Sequence, residues 1–113
     1  MTDQANTNSG IVVENRAGVR IRVAINKWTG SRSTAYYPIN DGRSSNWTRT
    51  DPRGFVMRLE LRGQNTPYFV VSGARYIVEP NRVLEDGRPI EPVGVALPSD
   101  EMGEASEGEP GAA

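Results

Sequence analysis

Hydrophobic and polar positions alternate most cleanly between Val19 and Trp28, which read Val-Arg-Ile-Arg-Val-Ala-Ile-Asn-Lys-Trp. Strand side chains point to opposite faces in turn, so Val19, Ile21, Val23 and Ile25 share one side. Arg20, Arg22, Ala24 and Asn26 share the other. A helix would scatter the four β-branched residues around its axis. The pattern therefore predicts a half-buried strand with one apolar face and one polar, basic face. Phe55 to Arg62 repeats it, with Phe55, Met57, Leu59 and Leu61 set against Val56, Arg58, Glu60 and Arg62.

Shorter segments fill the rest. Gly10 to Asn15 reads as an apolar strand, and Arg16-Ala17-Gly18 as a tight connection that pairs it with 19–28 in an antiparallel hairpin. Trp28 has the parity of the arginines, and a bulge near Asn26 would return it to the core. Thr29 to Thr34 has loop composition, and 35–39 is extended with Pro38 marking an edge. Asn40-Asp41-Gly42-Arg43 has turn chemistry. Residues 44–50 predict a strand with Ser45, Trp47 and Arg49 on one face, ended by a turn at 51–54. A turn at 63–66 precedes an apolar strand at 67–72, and 75–79 ends at Pro80. Residues 81–84 form a turn or short strand, 85–89 a turn, and 90–97 a last extended segment weakened by Pro92.

No window offers a helix. Seven or eight short strands, with turn signals roughly every eight to twelve residues, predict an all-β fold: a small antiparallel β-sandwich or partly open barrel. The domain is expected over 10–97, between a disordered segment at 1–9 and a disordered acidic tail at 98–113.

Composition narrows the chemistry. The 113 residues suffice for one core, since a chain of this size buries roughly 60–68% of its unfolded surface. The absence of cysteine excludes disulfides, thiolate zinc sites and cysteine nucleophiles. The absence of histidine removes the commonest general base near neutral pH and the commonest metal ligand. No apolar run is long enough for a transmembrane helix, and the first residues lack the basic start and apolar stretch of a signal peptide. The expected location is cytoplasmic, with leaderless export as the other route.

Net charge is −1, yet all 13 basic residues lie between Arg16 and Arg88. Within 16–62 there are ten basic against three acidic residues, and five acids sit in the tail after residue 98. The chain is thus a basic body with an acidic end, which could compete for the basic face or simply aid solubility.

Three constellations follow. Trp28, Tyr36, Tyr37 and Trp47, near Asp41 and Arg49, combine aromatic faces with short polar groups suited to sugars, cationic headgroups or bases. The plainer reading puts the tryptophans in the core. Arg20, Arg22, Lys27, Arg58 and Arg62 would form a positive panel for phosphate or sulfate if the two alternating strands share a sheet. The plainer reading is a solvated face whose charges discourage edge aggregation. The carboxylates form no glycosidase-like pair or other motif, so neither an enzyme nor a cofactor is expected. Asn46-Trp47-Thr48 fits the glycosylation acceptor pattern, an accidental match without a signal peptide. Without an RNP-like run or a zinc finger, sequence-specific nucleic-acid reading is not expected.

Lys27-Trp28 closing a Val/Ile strand, Tyr36-Tyr37 before Asp41-Gly42, and Trp47 with Arg49 resemble small single-domain fungal β-sandwich proteins. The resemblance covers 19–62 and implies the sandwich fold and a non-enzymatic role without assigning a site. The leading expectation is a non-enzymatic interaction module for an anionic or glycan-bearing surface. The alternative is a structural protein that assembles with itself into a homo-oligomer or larger array.

Overall fold

A computed structural model describes residues 10–27, 35–95 and 97–98. They form two five-stranded sheets packed face to face, with no helix and no closure into a barrel: a small β-sandwich. The strands are β1 Gly10–Asn15, β2 Ile21–Ile25, β3 Tyr37–Ile39, β4 Ser44–Thr48, β5 Phe55–Leu61, β6 Gln64–Val70, β7 Arg75–Glu79, β8 Arg82–Glu85, β9 Arg88–Ile90 and β10 Leu97–Pro98. The first sheet has the order β4-β1-β7-β8-β9 and the second β10-β6-β5-β2-β3. The strand count exceeds the expected seven or eight because two- and three-residue strands close the sheet edges.

The core is the sum of the inward faces. Ile11, Val13, Trp47, Tyr76, Val78 and Val83 come from the first sheet, and Ile21, Val23, Ile25, Met57, Leu59, Tyr68 and Val70 from the second. Phe55, Met57 and Leu59 are buried while Val56 and Arg58 are exposed, so the predicted alternation of this strand holds. Each buried branched side chain contributes on the order of 1.5–3 kcal/mol relative to exposure.

The expected hairpin between the first two strands does not form. β1 pairs antiparallel with β4 and parallel with β7, while β2 pairs with β3 and β5 in the other sheet. The connection at 16–20 is a crossover between sheets, and so is the turn at 40–43 that joins β3 to β4. Asn15 holds both together. Its fully buried amide donates to the carbonyls of Val19 and Ile39 at 2.8 Å each, and its Oδ1 accepts from Ala17 N–H at 2.8 Å. Gly42 N–H also donates to the Asn15 carbonyl, and Asp41 Oδ1 accepts from Gly18 N–H. A hairpin would have left the apolar sides of β1 and β2 on one face of one sheet; the crossover lets them face each other.

The 63–66 turn also moves. Its tight part is Arg62-Gly63, and Gln64-Asn65-Thr66 already pair with Leu61-Glu60-Leu59. Both Arg62 (φ 53°) and Gly63 (φ 82°) lie in the left-handed region, the backbone a two-residue hairpin requires. Asp86 and Gly87 repeat that geometry between β8 and β9. The turn expected at 85–89 is tight only at Asp86-Gly87, because Arg88 and Pro89 already belong to β9. Of the segment expected at 90–97, Ile90 ends β9 and Leu97 begins β10, which pairs with Asn65 and Gln64 of β6.

Candidate functional site

Two of the six residues proposed from the sequence for a ligand site lie in the interior. Trp47 is 0% exposed and meets Tyr37 of the opposite sheet edge-to-face, with centroids 6.2 Å apart and planes at 88°. Arg49 is 5% exposed and follows Trp47 on the same inward side. Its guanidinium donates to the carbonyls of Ile25 (2.8 Å), Asn26 (2.9 Å) and Thr48 (3.1 Å), stitching the end of β4 to the end of β2. Burial lowers its pKa from the ordinary arginine value. Both residues belong to the core and its seam rather than to a ligand platform.

The tyrosine pair separates as well. Tyr37 faces inward with Val23, and Tyr36 lies across the outer side of the second sheet. Tyr36 is buried there: the Asn65 amide donates to its hydroxyl at 2.6 Å, and the Arg22 guanidinium lies 5.6 Å from its ring centre. Asp41 is exposed but capped into the crossover by Gly18. Trp28 lies outside the described residues. The five described residues do not converge on one surface.

The basic group fares differently. The register pairs Arg22 with Glu60 and Ala24 with Arg58, placing Arg22, Arg58 and Glu60 on the outward face of the second sheet. Arg22 is partly covered and sits 3.7 Å from the Glu60 carboxylate, between it and Tyr36. The same antiparallel register brings exposed Arg20, just before β2, and exposed Arg62, just after β5, to one end of this strand pair. Lys27, half-buried, is at the other end of β2. Four of the five expected cations thus gather around one face, though Arg22 is engaged locally.

A feature the sequence reading missed adjoins them. Val56 pairs with Phe69 and Arg58 with Pro67 on this same face. Val56 is 39% and Phe69 47% exposed, and the Phe69 ring lies over Gly54, where a Cβ would come within 2.2 Å of it. Phe69 stood inside an apolar run read as one continuous strand, so its outward parity carried no signal. Val93, also exposed, donates its N–H to the Pro67 carbonyl beside this patch.

Past the end of β5 the sheets part in a cleft of about 290 Å³. Leu59, Leu61, Tyr68 and Val83 line its depth, while Arg62 and Arg82 stand among the polar lining residues. Arg82 donates to Glu79 at 2.7 Å across the β7–β8 turn. Burial and the negative charge of Glu91 push the pKa of the Tyr68 hydroxyl above its ordinary value.

The acidic groups that shift move downward. Glu14 falls below its ordinary value through its hydrogen bonds with Arg16 and Arg75. Asp51 is held at about 2, chiefly by the Arg53 side chain, which donates at 2.7 and 3.0 Å. Among the described residues no three Asp, Glu, His or Cys side chains converge as a metal site. No helix there is long and apolar enough to cross a membrane. No protein-family model, no curated protein and no solved structure matches the chain.

Proposed function

We propose that the protein is a non-enzymatic interaction module that docks an anionic surface through the outer face of its second sheet. The observation that carries this reading is that Arg58 stands beside the exposed Val56–Phe69 pair on a face whose far end carries Arg20 and Arg62. Cations attract a phosphate- or sulfate-rich surface over a distance set by salt, and exposed apolar side chains add contact area once it is reached. The glycan branch of the expectation draws less support, because Tyr36 and Trp47 are buried and Tyr37 faces the core.

Retention on heparin, DNA and vesicles of anionic lipid, measured against salt, tests the proposal. The expected result is retention that falls steeply with salt, is strongest on vesicles because only they reward Val56 and Phe69, and rises for a chain ending at Leu97. Absence of retention on all three matrices would overturn it.

A second reading, self-association, draws on a different observation. β4, an edge strand of the first sheet, runs Ser-Ser-Asn-Trp-Thr without proline or charge, and Ser44, Asn46 and Thr48 are exposed. A rise of solution mass with concentration would support it, and a constant monomer mass would remove it.

A further inference from the structure

Among the described residues the four sheet edges are not equally guarded. Edge strands offer unpaired N–H and C=O groups to any other strand, and proteins blunt them with proline, charge or shortness. β3 contains Pro38, β9 contains Pro89 and Arg88, and β10 is two residues long and contains Pro98. β4 has five residues and none of these devices.

The hydrogen-bond pattern shows which groups it offers. Asn15 N–H donates to the Arg43 carbonyl, so Asn15 of β1 turns its backbone towards the β4 side. Val12 N–H donates to Ala74 and the Gly10 carbonyl accepts from Gly73, so the alternate residues of β1 turn towards β7. The antiparallel register then directs the backbone of Ser45 and Trp47 at β1, and that of Ser44, Asn46 and Thr48 outward. Their side chains lie on the solvent face of the sheet, and all three are exposed.

We infer that β4 pairs antiparallel with β4 of a second copy about a twofold axis at Asn46, joining two five-stranded sheets into one of ten. Three observations single out a second copy rather than an unrelated strand. Outward-facing Ser44, Asn46 and Thr48 are spaced by two, so a twofold at Asn46 sets every outward N–H against a C=O of the copy, the Thr48 carbonyl keeping its Arg49 donor on its second lone pair. The side chains then match themselves: Asn46 meets Asn46 of the copy and Ser44 meets Thr48, uncharged hydrogen-bonding pairs of the kind that stabilise sheets. The flanking charges lie outside the seam: Arg49 is turned into the interior, and exposed Arg43 precedes Ser44. A five-residue seam is small beside the roughly 1,200–2,000 Å² of a stable interface, so the dimer is reversible and concentration-dependent.

This inference rests on the self-association reading and specifies its geometry. Sedimentation equilibrium of the full chain across a hundredfold concentration range tests it, with Asn46→Lys, Asn46→Asp and their equimolar mixture alongside. The wild type is expected to climb from 12.4 kDa towards twice that mass. Each variant alone is expected to stay monomeric, since it sets like charges across the axis, and the mixture to recover the mass increase. That recovery also shows both variants folded. A wild type monomeric throughout overturns both the inference and self-association. A wild-type dimer untouched in either variant, or not restored in the mixture, overturns the β4 seam and leaves self-association standing.

Discussion

The two sheets turn similar apolar faces to each other and different faces to solvent. On the first sheet the outward charges are balanced and engaged: Glu14 pairs with Arg75 at 2.7 Å and with Arg16, and Glu79 pairs with Arg82. Partly buried Val12, Ile77 and Leu84 lie among them. On the second sheet Arg22 and Arg58 face outward against Glu60, Arg20 and Arg62 stand at one end, and Val56 and Phe69 are exposed. The difference is one of balance rather than arginine content. Three arginines interleaved with Glu14 and Glu79 nearly cancel at short range, whereas four arginines around Glu60 leave an excess of positive charge whose field reaches about a Debye length, roughly 8 Å at physiological salt.

The most severe way to break the comparison is to open the seam on which both faces depend. Asn15→Leu removes two buried and one partly buried hydrogen bond and strands the groups they satisfied, and is expected to cost about 2–4 kcal/mol in urea unfolding. Arg49→Met should approach that cost, because the Ile25 and Asn26 carbonyls lose their donor. A loss under about 1 kcal/mol for both variants would show that neither residue holds the sheets together.

Charge reversal sharpens the comparison. Arg20→Glu, Arg58→Glu and Arg62→Glu together are expected to abolish salt-sensitive retention on anionic vesicles. Arg75→Glu with Arg82→Glu, on the other sheet, should reduce it only slightly. Equal losses would mean that net charge rather than the face governs binding.

Arg62 separates stability from binding within one residue. Its left-handed backbone suits asparagine better, so Arg62→Asn is expected to raise stability by about 0.5–1 kcal/mol while weakening retention. Arginine held at a costly backbone angle beside the proposed face accords with a use for its charge.

The smallest effect belongs to the balanced sheet. The Glu14 carboxyl has a folded pKa below its ordinary value near 4.5, so its contribution is present above that value and lost as pH falls through the lowered one. Arg16 and Arg75 are largely exposed, so Glu14→Gln should cost less than about 1 kcal/mol at pH 7 and nothing below both pKa values. A cost unchanged at low pH would place the Glu14 effect in packing rather than charge.

Much of this was legible along the chain. The parity of Val19 to Ile25 and of Phe55 to Leu61 identified inward and outward faces, because side-chain direction in a strand is a local property. Asp41-Gly42 marked a turn for the same local reason. Arg49 was the difficult case: its shared parity with Trp47 was visible, but three carbonyls at the ends of β2 and β4 draw it into the interior. Phe69 failed oppositely, since a run of apolar residues has no visible alternation until a partner strand sets its register.

By itself the sequence determined most of the strands and turns and the apolar face of each alternating strand. It also determined the excess of cations between residues 16 and 62. Those properties depend on φ/ψ preference and on neighbours two residues away. Tertiary structure alone decided that Asn15 turns the chain from one sheet into the other, that Tyr36 is covered by Arg22 and Asn65, and that Trp47 and Arg49 are enclosed. It also decided that β4 stands at the edge of its sheet among the described residues. Pairing between strands distant in sequence is fixed by the joint burial of both apolar faces, and no local window contains both partners.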